Sequence, residues 1–337
     1  MNVASAPLVA SSFAVSVVMA LYNKCDYIEA ALRSIQSQSL APVEIIVVDD
    51  GSTDGSDAAV LAMNIPNLTL VRTARVGPGP ARNHGMALAK GDYVAFLDGD
   101  DLWLPDHLET LSQIAGTFSG VALIASGYQE FSGPVPALTA RSCESAPRPL
   151  SFFTESSTKN RVSLSAVAVK PDVALHLGGF GNFIPGEDRR LWQAMALHAH
   201  IATIDRVTML YRRHTGGIMD QVAAVEAVPD DIPPHMHQID DYLTSHPDTN
   251  LTLAIAAYLR HEWISMLRQY LYRRHMGSAR WALRQMRARN IAAPAHLALL
   301  ASLPRQVVST LIAAHRLRRR LFSRQAPTIA LSGESNR

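Results

Sequence analysis

Three acidic groups in this chain have the types and spacing to do chemistry: Asp49-Asp50, Asp98-Gly99-Asp100-Asp101 and Glu187-Asp188. Three carboxylates within four residues repel one another in a dry cleft. They persist when they are solvated or when a cation compensates them. Oxygen donors of this kind suit Mg2+ or Mn2+, which take one or two carboxylates and complete their shell with substrate phosphates. Asp98-Gly99-Asp100 therefore suggests a metal–diphosphate site, although an isolated Asp-Gly-Asp is more often a plain surface turn. Asp50 offers a second acidic point, because one carboxylate can accept two donors from a base or a ribose. Its neighbours Ser52 and Thr53 read equally well as helix caps. Glu187-Asp188 opens a helical pattern, where the macrodipole favours acids, and the same position can present a proton acceptor to a cleft.

These groups need elements to hold them. Val15–Ala20 reads as a first strand and Tyr27–Gln38 as a helix, with apolar residues at the helical period. Val43–Asp49 is a continuous β-branched run, as in a parallel strand covered on both faces. Ser52–Met63 reads as a helix, Leu68–Arg72 as a strand and Gly77-Pro78-Gly79-Pro80 as a loop. A helix over Ala81–Ala89 and a strand over Tyr93–Leu97 follow. This β-α-β-α-β-α-β order predicts a doubly wound α/β sheet, and the first two acidic groups then lie at strand C-terminal ends, where such sheets bind ligands. The pattern continues with a helix over His107–Phe118 and a strand over Val121–Ser126. Residues 130–160 read as an irregular excursion. A strand over Ser163–Lys170, the turn Gly178-Gly179-Phe180, a helix over Glu187–Ala199 and a last strand within Ile201–Arg212 complete the domain.

The ordered pieces resemble the inverting family 2 glycosyltransferases of the GT-A fold. They are Val15–Asn23, Ile45–Asp54, Ala81-Arg82-Asn83-His84-Gly85, Lys90–Asp101, Gly178-Gly179-Phe180, Gly186–Trp192 and Tyr211-Arg212-Arg213-His214. The resemblance covers about residues 13–216, and the ordered set is far more specific than any one piece. It implies a GT-A doubly wound mixed sheet with a C-terminal helical extension. It also implies transfer of a sugar from a nucleoside-diphosphate donor, a UDP-sugar by family frequency, to a hydroxyl of a glycan or lipid-linked acceptor. Carried over residue by residue, Ala20, Tyr22, Asp50, Arg82 and Asp98 belong to the nucleotide-binding set. Tyr22 packs near the base and Asp50 contacts it. Asp100 coordinates Mg2+ or Mn2+, His214 stands where some members place a late metal or diphosphate ligand, and Asp188 is the general base. Arg82 and Asn83 match a motif without an assigned contact. Ala20 departs from the family pattern, in which many members carry Pro. Two other functions share part of this pattern. A sugar-nucleotide nucleotidyltransferase would need a Gly-rich basic loop after the first strand, where this chain has Leu21-Tyr22-Asn23-Lys24-Cys25. A catalytically inactive scaffold would not need both Asp100 and Asp188.

The remaining residues set boundaries on the function. Nearly half the 337 residues are hydrophobic and 18% are charged, which excludes a disordered chain. Two cysteines cannot frame a disulfide-rich fold. Trp103 and Trp192 are expected in the core, and Cys25 reads as structural. The pair His235 and His237 is expected on the surface rather than at a metal. Val3–Leu21 is uncharged, but Pro7 and its serines interrupt it and no basic segment precedes it, so a buried strand is expected and a cytoplasmic location with it. The division expected is an N-terminal extension over 1–12, a catalytic domain over 13–216, a linker over 217–249, a basic helical region over 250–325 and a tail over 326–337. Residues 1–216 hold 16 basic and 20 acidic side chains; residues 217–337 hold 15 and 9, and after Glu262 the only acid is Glu334. With aromatics interleaved among its arginines, that last region suits an anionic membrane surface, with peripheral binding to the inner face, or else a homodimer interface. No nucleic-acid module accompanies it.

Overall fold

The computed structural model describes residues 13–139, 145–157, 162–183, 186–213, 215 and 229–312. The chain divides into two compact units, Met1–Val222 with Ile232–Leu259, and Ala223–Asp231 with Arg260–Arg337.

The first unit is built on β1 (Val15–Leu21), α1 (Cys25–Gln36), β2 (Glu44–Asp49), α2 (Ser56–Ala62), β3 (Leu68–Arg72), α3 (Pro78–Leu88) and β4 (Tyr93–Phe96). β3, β2, β1 and β4 are neighbours in that order and parallel. The interiors of β1, β2 and β4 are almost continuously apolar and buried, because helices cover both faces, whereas β3 at the edge is partly exposed. Val15, Val17, Met19 and Leu21 of β1 pack with Ile28, Leu32 and Ile35 of α1 in one buried cluster. β1 and β2 end in register, Leu21 opposite Asp49, so the loops that follow both strands open at one edge.

Beyond β4 the sheet turns antiparallel. β5 (Leu102–Trp103), α4 (His107–Thr117), β6 (Leu123–Phe131), β7 (Arg148–Pro149), α5 (Phe152–Ser156), β8 (Val167–Val169), α6 (Pro171–His176), α7 (Glu187–His198) and β9 (Ile201–Arg212) follow. Among the described residues, the order is β3-β2-β1-β4-β8-β6-β9-β5, with β7 on β9. β8 is antiparallel to both β4 and β6, whereas β6 and β9 run parallel. The sheet is thus mixed, as expected. Trp103 and Trp192 are both buried, as their apolar surface favours; Trp103 donates its indole N–H to the Ser165 carbonyl at 2.6 Å.

Several boundaries differ from the sequence expectation, each for a local reason. Gly77-Pro78-Gly79-Pro80 is not a loop throughout, since α3 starts at Pro78. Proline fits a first helical turn, where its missing N–H would have no partner. β5 went unrecognised because two residues carry no periodicity; it exists by pairing Leu102 with Leu210 of β9. Ser163–Lys170 begins as a 3-10 turn at Leu164–Ala166 before it becomes β8. Within the stretch expected as a linker, Pro234–Ser245 forms a helix, α8, that packs on α7. His235 is consequently buried, not on the surface, and burial lowers its pKa to about 3, with Arg189 adding to the shift. It comes so near Gly186 that a β-carbon there would stand 2.9 Å from its Nδ1.

α9 (Thr252–Arg273) is followed in the second unit by α10 (Met276–Ala288) and α11 (Ala295–Ser302). There Trp263 and Trp281 lie with ring centroids 5.9 Å apart, and the Arg289 guanidinium sits over Trp263. Arg280 donates to the Ala301 carbonyl at 3.2 Å, satisfying the last turn of α11. No helix among the described residues is long and apolar enough to cross a membrane.

Candidate functional site

The C-terminal ends of β1, β2 and β4 carry the site, and every carboxylate there has its own partner. Asp98 accepts from Arg82 Nη2 at 2.9 Å. Asp100 Oδ2 accepts from Lys24 Nζ at 2.5 Å and from the Thr215 hydroxyl at 2.7 Å. Asp101 is buried; its oxygens take the Ser165 hydroxyl at 2.6 Å and the Arg212 N–H at 2.9 Å. Burial first, then Asp98 and Asp100, push the Asp101 pKa well above the usual carboxylate range. The acidic turn therefore divides its labour. Asp101 ties it to the 3-10 turn before β8 and to β9, while Asp98 and Asp100 face cations.

Asp50 organises the next loop. Its oxygens accept from the Thr73 hydroxyl at 2.8 Å, the Val76 N–H at 2.7 Å and the Gly77 N–H at 2.8 Å. Between those anchors Arg75 holds a left-handed backbone, φ 54°. That conformation is costly for a residue with a β-carbon and persists because the surroundings fix it. The result is that the Arg75 guanidinium lies over the Tyr22 ring, 4.4 Å from its centroid. Tyr22, Asp50 and the 73–77 loop thus form one wall. Ala20 lies two residues before Tyr22, half-buried in β1 opposite Val48.

Arg82 and Asn83, matched without a contact in the sequence, are the hub of the site. Arg82 is buried in α3 and spans two acids: Nη2 reaches Asp98, and Nη1 reaches Glu187 Oε1 at 3.2 Å. Burial works against its charge, but Asp98, Glu187 and Asp188 outweigh that cost and hold its pKa above the usual value. Glu187 shows the converse: burial and the adjacent Asp188 raise its pKa, and Arg82 opposes them. Asn83 exchanges two hydrogen bonds with the Phe180 backbone, at 2.8 and 2.9 Å. A β-carbon at Gly179, whose φ is 58°, would stand 2.4 Å from Asn83 Oδ1, so this contact requires glycine. Asn83→Ala is expected to lower stability by roughly 1–3 kcal/mol, since both groups of Phe180 lose their partner; thermal denaturation measures it.

Arg82 thereby brings the Asp98 end of the acidic turn within one guanidinium of the Glu187-Asp188 pair. Asp188 is half-buried in the first turn of α7, its Oδ1 accepting the Arg189 N–H at 2.8 Å. Lys24 and Thr215 were missed by sequence reasoning. Lys24 is a single basic residue in a turn, and its partner lies 76 positions away. His214 lies outside the described residues. Among the described residues, no group of three or more His, Cys, Asp or Glu is placed to hold a metal by itself. The donor set at Asp100, one carboxylate and one hydroxyl already gathered on a positive charge, fits a hard cation that takes most of its shell from phosphate and water.

Comparison with known proteins bears on this geometry. Residues 16–138 match the model of the family described as Glycosyl transferase family 2. Over that domain-sized stretch the chain is similar to family 2 glycosyltransferases. The domain is 41% identical over 102 residues to YibD of Escherichia coli K12, named an uncharacterized glycosyltransferase, and 41% identical over 102 residues to the succinoglycan biosynthesis protein ExoO of Rhizobium meliloti. Each alignment covers 30% of this chain, and 30% of YibD or 29% of ExoO, so the chain matches about a third of these relatives' length. The likeness in fold extends further than the likeness in sequence. S. aureus TarS 1-349, solved with UDP-GlcNAc, superimposes with a TM-score of 0.61 at 19% identity, over 79% of this chain and 81% of that one. The mannosyltransferase PcManGT of Pyrobaculum calidifontis, solved with GDP-Man and Mn2+, gives 0.52 at 19% identity, over 92% and 83%. The fold is of the GT-A type.

Proposed function

We propose that this chain is an inverting glycosyltransferase that moves a sugar from a nucleoside-diphosphate donor to a hydroxyl of a glycan or lipid-linked acceptor. The observation that carries the reading is Arg82, which holds Asp98 and Glu187 together. Inversion is a single in-line displacement and needs two poles: a proton acceptor for the attacking hydroxyl and positive charge for the departing diphosphate. Asp188 is the acceptor. Its neighbour Glu187 is committed to Arg82, which leaves Asp188 to face the incoming alcohol. Asp100 is the protein ligand for Mg2+ or Mn2+, which, when bound, neutralises the developing diphosphate. Tyr22 and Asp50, with the 73–77 loop they hold, form the nucleotide wall, and Asp98 borders the ribose. TarS and PcManGT, bound to UDP-GlcNAc and to GDP-Man with Mn2+, support a nucleotide-sugar donor and a divalent cation; a UDP-sugar is the first donor to test. The name of ExoO supports a role in surface polysaccharide synthesis.

The test is a panel of UDP- and GDP-sugars incubated with Mn2+, read as release of the nucleoside diphosphate. One donor is expected to be turned over, and EDTA to suppress it. Pyrophosphate formation from a sugar phosphate and a nucleoside triphosphate would instead identify a nucleotidyltransferase. Binding without turnover, with any acceptor, would leave a scaffold.

A separate observation favours an anionic membrane as the place of work. Residues 260–312 contain nine arginines and one acid, Glu262, which is buried. Arg280, Arg284 and Arg287 are exposed at helical spacing along α10. Near a surface of anionic lipid each such charge contributes about 1 kcal/mol. The full chain is expected to pellet with phosphatidylglycerol vesicles but not with phosphatidylcholine vesicles, and Arg268→Glu with Arg284→Glu and Arg287→Glu to abolish it. Equal pelleting of both proteins removes this placement and leaves a homodimer contact, read by light scattering.

A further inference from the structure

Lys24 has no role in the mechanism above, yet few side chains in the site are more firmly placed. It is the residue before α1, and its carbonyl accepts the N–H of both Tyr27 and Ile28 at 2.9 Å. Its own N–H donates to the Ser56 hydroxyl at 2.8 Å. The loop after β1 is laced to the loop after β2 on either side of it, by Asn23 N–H to Ser52 at 3.0 Å and by Cys25 N–H to Asp54 at 2.9 Å. The stem lies along the acidic turn: a β-carbon at Gly99 would stand 3.4 Å from Lys24 Cβ and Cγ. Only the ammonium is left to choose its partner. It sits 2.5 Å from Asp100 Oδ2 and 3.4 Å from the Thr215 hydroxyl, which itself donates to Asp100. Both charged side chains are 15% exposed.

That position has a consequence for anything else Asp100 binds. A divalent cation and an ammonium compete for one carboxylate, because like charges held a few ångströms apart repel. A diphosphate relieves the conflict: it brings several anionic oxygens, and an ammonium is a compact three-donor charge suited to them. We propose that Lys24 is a resident counter-cation of the diphosphate subsite, holding Asp100 while the site is empty and turning to the phosphate oxygens when donor and metal enter. The inference rests on the glycosyltransferase reading and deepens it. Lys24 becomes a donor-binding residue that also sets the order of binding, with the metal favoured after the nucleotide rather than before it.

Lys24→Met tests this with two readouts of opposite sign, neither of them activity. The probes are Mn2+ alone, followed by the spectroscopic signal of the free ion, and UDP and GDP in EDTA, followed by calorimetry. Without nucleotide, the variant is expected to bind Mn2+ at least about five-fold more tightly than wild type, because a competing cation has gone. Without metal, it is expected to bind the preferred diphosphate about ten-fold more weakly or worse, while uridine or guanosine binds unchanged. Lys24→Arg, which keeps the charge, is expected to retain most of the diphosphate affinity; this guards against a merely misfolded Met variant. Unchanged Mn2+ affinity in Lys24→Met, unchanged diphosphate affinity, or equal loss of nucleoside and diphosphate each overturns the proposal while leaving the glycosyltransferase reading intact. A wild-type protein that binds neither UDP nor GDP, with or without Mn2+, overturns both.

Discussion

Asp188→Asn is expected to bind the donor as wild type does and to transfer sugar roughly 10^2–10^4-fold more slowly, the range that a positioned general base contributes. The substitution keeps size and a hydrogen-bonding side chain but removes the proton acceptor. Asp188 Oδ1 accepts the Arg189 N–H in the first turn of its own helix, α7, and an amide oxygen can do the same. Folding and the donor KM should therefore hold while kcat falls, the signature of an interaction made in the transition state. Glu187→Gln makes the contrast. Its carboxylate is bound to Arg82, so its loss should show mainly in stability and in the geometry of Asp98, not as the same collapse of kcat. Steady-state rates for both variants, with the acceptor varied at saturating donor, separate the two acids. Asp188→Asn working at the wild-type rate would sink the base assignment.

How much of this was legible in the sequence follows from what each residue depends on. β1, β2 and β4 could be read because a strand covered on both faces is apolar through its interior, as Ile45–Val48 is in β2. The acids at their ends then follow from topology. The long-range pairings that make the site could not be read. Arg82 reaches Asp98 at 16 positions and Glu187 at 105, and nothing in a run of α3 residues announces a two-acid bridge. Asn83 and Gly179 explain each other only once they touch. α8 was hidden by composition: Pro233 and Pro234 suggest a linker, but proline is equally at home just before a helix and in its first position. His235 was misplaced with it, because burial is set by the neighbouring α7 and not by the histidine's own surroundings in sequence.

Arg82→Met should be the most disruptive single change to the site, and its effect should depend on pH in a stated direction. The side chain is only 8% exposed and serves two acids, of which Glu187 is 14% exposed. Removing one partner of a buried ion pair leaves an uncompensated charge and typically costs about 3–5 kcal/mol. Here the stranded group has an escape. Burial and Asp188 already raise the Glu187 pKa, and Arg82 is what opposes them. Without Arg82 the pKa rises further and the carboxyl can take a proton. A carboxyl whose folded pKa lies above its unfolded value is stabilising when protonated, below the unfolded pKa, and that contribution is lost as pH rises through the folded pKa. The stability deficit of Arg82→Met relative to wild type should therefore be largest at neutral and alkaline pH and should shrink as the solution is acidified toward and below the ordinary glutamate range. Melting curves of both proteins across that interval measure it. Arg82→Lys keeps a charge but lacks the fork that spans Asp98 and Glu187 together, so it should recover part of the stability and little of the transfer. A deficit that stays constant with pH would mean that Glu187 finds another cation when Arg82 is gone. The bridge would then be incidental, and the claim that it sets the two catalytic poles in one cleft would fail with it.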